Sequence, residues 1–290
     1  MGACLRRSGV AVALVVLVAG PLAAQVSPVG QGPASWVAHF SALAGNAGLG
    51  ALTGGILQAL RGGSFADGFT RGALGGSLVY AGKRISAERF GGAGLAGREV
   101  AAVGTSVVRN AARGRPPLER LALPLGPVPV WITVELRPGF TVTPRLDVVG
   151  AAWLGFNGTD RRLDLDLSSS LSAGVPVFQA DRRAIVADDD LASGVMVART
   201  ITLSDPLSRF PSDLAHTFAH ERIHVVQSDF ALGTWNEALM DWLLPRLPAG
   251  TIVNRYALLD VVSNLVWVWP SGLTNPWEAE AEFFAGPRGR

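Results

Sequence analysis

The chain has 290 residues, 25 of them basic, 23 acidic and 49% hydrophobic. That balance excludes the broad basic surface a nucleic-acid binder needs, while the apolar share suffices for one substantial core or two modest ones. A lone cysteine, Cys4, excludes a disulfide framework within the chain.

Met1 to Ala24 reads in three parts: Arg6 and Arg7, an apolar run from Val10 to Ala19, and, after Gly20-Pro21, the small-residue end Leu22-Ala23-Ala24. This is the pattern of a secretory signal peptide, residues 1–24, cut before Gln25; it predicts an exported protein of the periplasm or cell envelope. Cys4 lies ahead of the cut, so the mature chain has no disulfide, and losing Arg6 and Arg7 brings its basic residues level with its acidic ones.

Residues 25–114 read as a Gly-rich helical region. Phe40 to Leu60 runs 21 residues without a charge, five of them glycine, and Phe69 to Gly82 repeats that texture. Small residues along an apolar helix let two backbones approach closely. The first stretch is also long enough to span a bilayer, so membrane association and a compact hairpin packed on the rest of the protein both fit. The weak apolarity of Gly and Ala favours the compact hairpin. Arg61, Asp67 and Arg71 fall in the break between the stretches. Lys83 to Arg98 reads as a polar connection, and Glu99 to Arg113 as an amphipathic helix with Val100, Val103, Val107 and Ala111 on one side.

Pro116, Pro117, Pro124, Pro127 and Pro129 put a boundary near residue 115. From there to residue 204 the period becomes that of strands. Thr133, Glu135 and Arg137 alternate with Ile132, Val134 and Leu136; beyond Pro138-Gly139, Thr141, Thr143, Arg145 and Asp147 alternate with Val142, Leu146 and Val148, a hairpin with one wet face. Further strands are expected at Arg162 to Ser168 and Val195 to Leu203, with an edge strand at Ala173 to Phe178 containing Pro176. Together they predict an antiparallel sheet, with too few strands to close a transmembrane barrel. Asp188, Asp189 and Asp190 lack the spaced oxygens of a calcium loop and read as a solvated turn.

Residues 205–290 carry the chemistry. Ser212 and Asp213 suit the first turn of a helix that meets no Gly or Pro before Leu232. Within it, His220-Glu221-Arg222-Ile223-His224 is H-E-x-x-H: histidines four apart share a helix face and can reach one ion, for which zinc is expected. Glu221, beside the first histidine rather than stacked with it, is placed to act as a base on water instead of as a ligand. His216 falls one turn earlier, as a supporting or an exposed histidine. Thr234 to Glu237 has the pattern of a capping box for a helix ending at Pro245, and Tyr256 to Trp269 is another apolar segment.

Near the C-terminus, Pro276 opens a run in which Glu278 and Glu282 fall on one helix face and Glu280 on the other. Glu278 is the candidate third ligand, with Glu282 as a hydrogen-bond partner of a ligand histidine or as the alternative ligand. The plain alternative is an acidic helix start whose three glutamates all face water.

Asp213 to Phe284 resembles the gluzincins, zinc peptidases whose third ligand is a downstream helical glutamate. It is closest to bacterial domains of unknown function with an H-E-x-x-H-V-V-Q run, here His220 to Gln227, and an E-A-E-A-D-like run, here Glu278 to Glu282. Peptidases that process prenylated proteins share a Glu-x-x-x-Asp arrangement; this chain has Glu282 where their Asp stands. The resemblance implies zincin-like helices, a zinc ion, hydrolysis of a peptide or protein substrate, and a side chain that steadies the oxyanion, for which Tyr256 and His216 are candidates. The expectation is therefore an α+β protein with Gly-rich N-terminal helices, a middle antiparallel sheet and C-terminal zincin-like helices. It acts as an envelope metallopeptidase or, in a different class, as a non-catalytic structural or interaction protein with a structural or vestigial metal site.

Overall fold

The computed structural model describes residues 36–136, 139–180, 194–204, 211–231, 234 and 276–286. The expected signal peptide, the Asp188 to Asp190 turn, the helix after Thr234 and the Tyr256 to Trp269 segment lie outside them.

Three helices come first: α1 (Trp36–Leu60), α2 (Phe65–Ala87) and α3 (Ala93–Ala112). Ser64 caps α2, its hydroxyl accepting from the Asp67 amide at 3.2 Å. The two Gly-rich stretches do pack on each other, and the glycines are the contact itself. A Cβ on Gly50 would stand 2.3 Å from the Gly72 carbonyl, one on Gly54 2.4 Å from that of Gly68, and one on Gly76 2.1 Å from that of Asn46. The opposite side of α2 repeats the device against α3, where a Cβ on Gly82 would stand 2.5 Å from the Gly97 carbonyl. Spaced at one-turn intervals, these residues bring backbone against backbone. Among the described helices α1 is the one long and apolar enough to cross a membrane.

The polar connection expected at Lys83 to Arg98 is mostly helix. Lys83 belongs to α2 and Arg98 to α3, and both are buried because each has a carboxylate partner, Glu280 and Asp229. Val100 and Val103 of α3 are only half-buried, while Ala101, Ala102, Val107, Val108, Ala111 and Ala112 are enclosed. The helix packs on several sides at once, so a single apolar stripe understates its buried surface.

Strands β1 (Arg120–Pro124), β2 (Val130–Glu135) and β3 (Thr141–Leu146) form an antiparallel sheet, with the expected hairpin as β2 and β3. The face assignment is reversed at its centre: Thr133 is 2% exposed whereas Val142 is 50% exposed. Thr133 pairs with Ala122, whose amide donates to Ser106 of α3 at 3.0 Å, so the Thr face meets the helices. Asp147 and Val148 do not extend β3; Asp147 caps α4 (Val148–Thr159), accepting from the Gly150 amide at 3.0 Å.

The second sheet orders as β4 (Leu163–Leu165), β5 (Val177–Ala180), β7 (Thr200–Ser204) and β6 (Gly194–Val197). The expected all-antiparallel arrangement fails here, because β5 and β7 run parallel. The strand expected over Arg162 to Ser168 stops early, since Asp166 caps the short α5 (Leu167–Ala173). The supposed edge strand is internal: it begins after Pro176, so the missing proline amide breaks no ladder bond, and Val177 and Phe178 are buried. Val195 to Leu203 is two strands, split where Ala198 and Arg199 take φ of 49° and 61° in a two-residue turn.

Helix α6 (Pro211–Ala231) lies between everything else. Val225 packs with Val177, Ile201 and Leu203 of the mixed sheet; Val226 and Phe230 pack with Val79, Ala101 and Val108 of α2 and α3; Ile223 packs with Ala42, Ala281 and Phe284. The last two belong to α7 (Pro276–Ala285). Asp229 adds a polar fastening, accepting from Arg98 Nε and Arg199 Nε at 2.7 Å each, while Arg199 also bonds Asp147.

Two measurements test this packing. Gly72→Ala puts a methyl against the Gly50 backbone and is expected to cost about 3 kcal/mol in urea unfolding. Gly48→Ala meets nothing within 4 Å among the described residues and is expected to gain about 0.5–1 kcal/mol. Separately, burial pushes the Glu99 carboxyl up to about 7, with Asp229 reinforcing and Arg98 opposing. The folded state therefore holds the proton more tightly than the unfolded state, and stability falls as pH rises from about 4.5 to 7. Glu99→Gln should flatten that slope by about 1 kcal/mol, less than the full shift because the carboxyl is partly solvated.

Candidate metal centre

Pro211 takes the first position of α6 and Asp213 adds negative charge to its first turn, the placement that favours a helix start. His216, His220 and His224 then rise along one face, with ring centroids 6.5 and 4.6 Å apart. Helix α7 begins at Pro276 and sets Glu278 and Glu282 one turn apart against that face.

Two Nε2 atoms and one carboxylate converge. His220 Nε2 and His224 Nε2 lie 2.9 Å apart, Glu278 Oε2 is 3.0 Å from the first, and Glu278 Oε1 is 3.3 Å from the second. Together, donor atoms of His220, His224 and Glu278 lie within 4.8 Å of one another, a cluster able to hold a metal ion. Donors bound tetrahedrally at zinc distances stand about 3.3 Å apart, so this spacing fits one small ion between them. The histidine side chains are each 15% exposed and that of Glu278 56%, so the cluster opens to solvent on the glutamate side.

Each distal ring nitrogen also has company. His224 Nδ1 bonds Gln227 Oε1 at 2.7 Å, and Glu282 Oε2 lies 3.4 Å from His220 Nδ1 and 3.1 Å from His216 Nε2. Burial pulls His220 down, but the bond to Glu278 and the nearby Glu282 carboxylate outweigh it and hold the imidazole at about 9. Both glutamates are held well below the usual carboxylate range, Glu278 by His220 and His224, and Glu282 by His216 and His220.

Glu221 sits outside the donor set, only 5% exposed. Its Cγ stands 3.2 Å from where a Gly194 Cβ would lie, and the Met196 amide of β6 bonds its carboxylate. Burial pushes the carboxyl up, against the charges of His224 and His220.

Of the other candidates, His216 is buried against Glu282 rather than exposed, and Tyr256 lies outside the described residues. Glu280 turns away from the histidines as the spacing required, yet three glutamates facing water is not what the helix presents. Glu280 is buried and accepts from Lys83 Nζ at 2.7 Å, Gln227 Nε2 at 2.8 Å and Asn46 Nδ2 at 2.8 Å. Burial would raise its pKa, but the lysine charge and these bonds hold it low. Sequence reasoning missed Asn46, Lys83 and Gln227 as parts of the site. The signals were there: Lys83 interrupts a run uncharged since Arg71, and Gln227 follows His224 at helical spacing.

Fold and cluster together define an α+β protein with a metal-capable His–His–Glu site. No protein-family model, curated protein or solved structure matches the chain.

Lys83→Met leaves Glu280 buried without its counter-charge and is expected to cost about 3–5 kcal/mol in urea unfolding. Combined with Glu280→Gln, which removes the stranded charge, the loss should shrink to less than half.

Proposed function

We propose that the protein holds a zinc ion through His220, His224 and Glu278, and that with it the chain works as a zinc-dependent metallopeptidase of the cell envelope, cutting a peptide or protein substrate. The observation that carries this reading is the convergence of those three side chains. Two imidazoles and a carboxylate suit zinc, and three protein donors on a solvent-facing side leave a position for water or substrate. Zinc bound there would polarise the scissile carbonyl and make a water nucleophilic near neutral pH.

The chain's own groups supply the rest. Glu221, buried and raised beside both histidines, is suited to take a proton from water and return it to the leaving amine. Strand β6, the outer strand of its sheet among the described residues, stands against Glu221 through the Met196 amide and would be the strand along which an extended peptide runs. Glu282, near the distal side of His220, supports its role as a partner of the histidines and Glu278 as the third ligand. The exported location rests on the Met1 to Ala24 pattern.

A non-catalytic reading has its own support and asks less of the site. The same three donors bridge α6 and α7, so an ion would staple the short C-terminal helix to the central one, in an envelope structural or interaction protein that makes no use of Glu221.

Metal content and peptide hydrolysis of purified variants separate the two. Glu278→Ala should lose most of its zinc; Glu221→Gln should keep it and lose about 10²–10⁴-fold in hydrolysis. Zinc without hydrolysis in the unsubstituted protein supports the staple, and no zinc under zinc-replete conditions contradicts both.

A further inference from the structure

Gln227 is 4% exposed and makes three contacts that together fix its amide. Its nitrogen end faces two acceptors, Glu280 Oε2 at 2.8 Å and the Trp277 carbonyl at 3.0 Å. A reversed amide would set oxygen against a carboxylate and a carbonyl, so the orientation follows from its partners. Glu280 is fixed in turn: Lys83 Nζ bonds its Oε2 at 2.7 Å, Asn46 Nδ2 bonds its Oε1 at 2.8 Å, and Lys83 also bonds Asn46 Oδ1 at 2.9 Å. The amide oxygen of Gln227 is then left pointing at His224 Nδ1, 2.7 Å away. An amide oxygen only accepts, so Nδ1 must be the donor. In the neutral ring this leaves the lone pair on Nε2, 2.9 Å from His220 Nε2, which can donate to it, while Glu278 Oε1, which only accepts, lies farther off at 3.3 Å.

We propose that Gln227 is a positioning residue: oriented by the buried Lys83, Asn46 and Glu280 group, it holds His224 in the tautomer that offers Nε2 to a metal ion. This deepens the metal reading and rests on it, but the ring state can be read with no metal present. The relay also gives a use to a lysine and a glutamate placed on the far side of α7 from the ligands, which otherwise serve only to anchor that helix. Outer partners of ligand histidines set tautomer and ring orientation, and losing one weakens metal affinity about 10–100-fold.

The test uses the full chain labelled with nitrogen-15 histidine. In ion-free protein at mildly alkaline pH, long-range proton–nitrogen spectra should show His224, assigned by its disappearance in His224→Asn, with Nδ1 protonated and Nε2 bare. In Gln227→Leu, checked for folding by circular dichroism, the ring should no longer be confined to that tautomer, and the zinc Kd by chelator competition should weaken about 10–100-fold. Lys83→Met with Glu280→Gln keeps an acceptor for the Gln227 amide and should weaken zinc less than tenfold. A proton on Nε2 of His224 in the unsubstituted protein overturns the proposal, even if Gln227→Leu does not fold. So does a folded Gln227→Leu with unchanged tautomer and zinc Kd. If the unsubstituted protein shows the Nδ1–H ring but binds no zinc, the relay stands and the metal reading fails.

Discussion

Lys83 Nζ and Glu280 Oε2 meet at 2.7 Å with side chains 1% and 9% exposed, and the position of α7 follows from that contact. A charge pair so enclosed is retained only if its desolvation is offset, here by Asn46 and Gln227 filling the remaining hydrogen-bonding positions. Helix α7 spans only Pro276–Ala285, too short to persist alone in water. Glu280 on one side, with Ala281 and Phe284 in the apolar cluster around Ile223, seats it, and the turn of the helix then delivers Glu278 and Glu282 to the histidines. The inner glutamate thus places the outer two.

Helix α6 receives this contact because it is itself held on several sides. Its apolar residues divide among the mixed sheet, the glycine-packed helices and α7, and Asp229 draws in Arg98 and Arg199. Both guanidinium groups lie over the Trp131 ring, at 5.5 and 5.9 Å, tying the first sheet to the same point. The close approach of α1, α2 and α3 bears on the site as well, since Asn46 and Lys83 reach Glu280 from α1 and α2 only if those helices touch through backbone. The site is polar chemistry mounted where several rigid elements meet, the arrangement that keeps donor atoms in register.

Periodicity and spacing made the helices and the ligand faces legible. The Gly-rich texture shared by Phe40 to Leu60 and Phe69 to Gly82 marked the α1 and α2 contact, H-E-x-x-H marked α6, and Pro276 with glutamates four apart marked α7. What failed did so where a local pattern met a distant partner. Lys83 and Arg98 read as linker because a charge in isolation argues for solvent; each is interior through a carboxylate more than a hundred residues away. Thr133 read as wet because alternation fixes two faces without saying which one meets α3. The parallel pairing of β5 with β7 is a matter of topology, which no run of four or five residues encodes. Glu280 was placed on the correct side of its helix, yet its burial depended on Lys83 and Asn46, residues with no motif around them.

X-ray absorption at the zinc edge of the loaded protein reads the ligand set itself. About four light ligands near 2.0–2.1 Å are expected, with the outer-shell scattering of two imidazoles and no sulfur. A spectrum lacking the imidazole signature, or one with six oxygen neighbours, would contradict a site built on His220, His224 and Glu278.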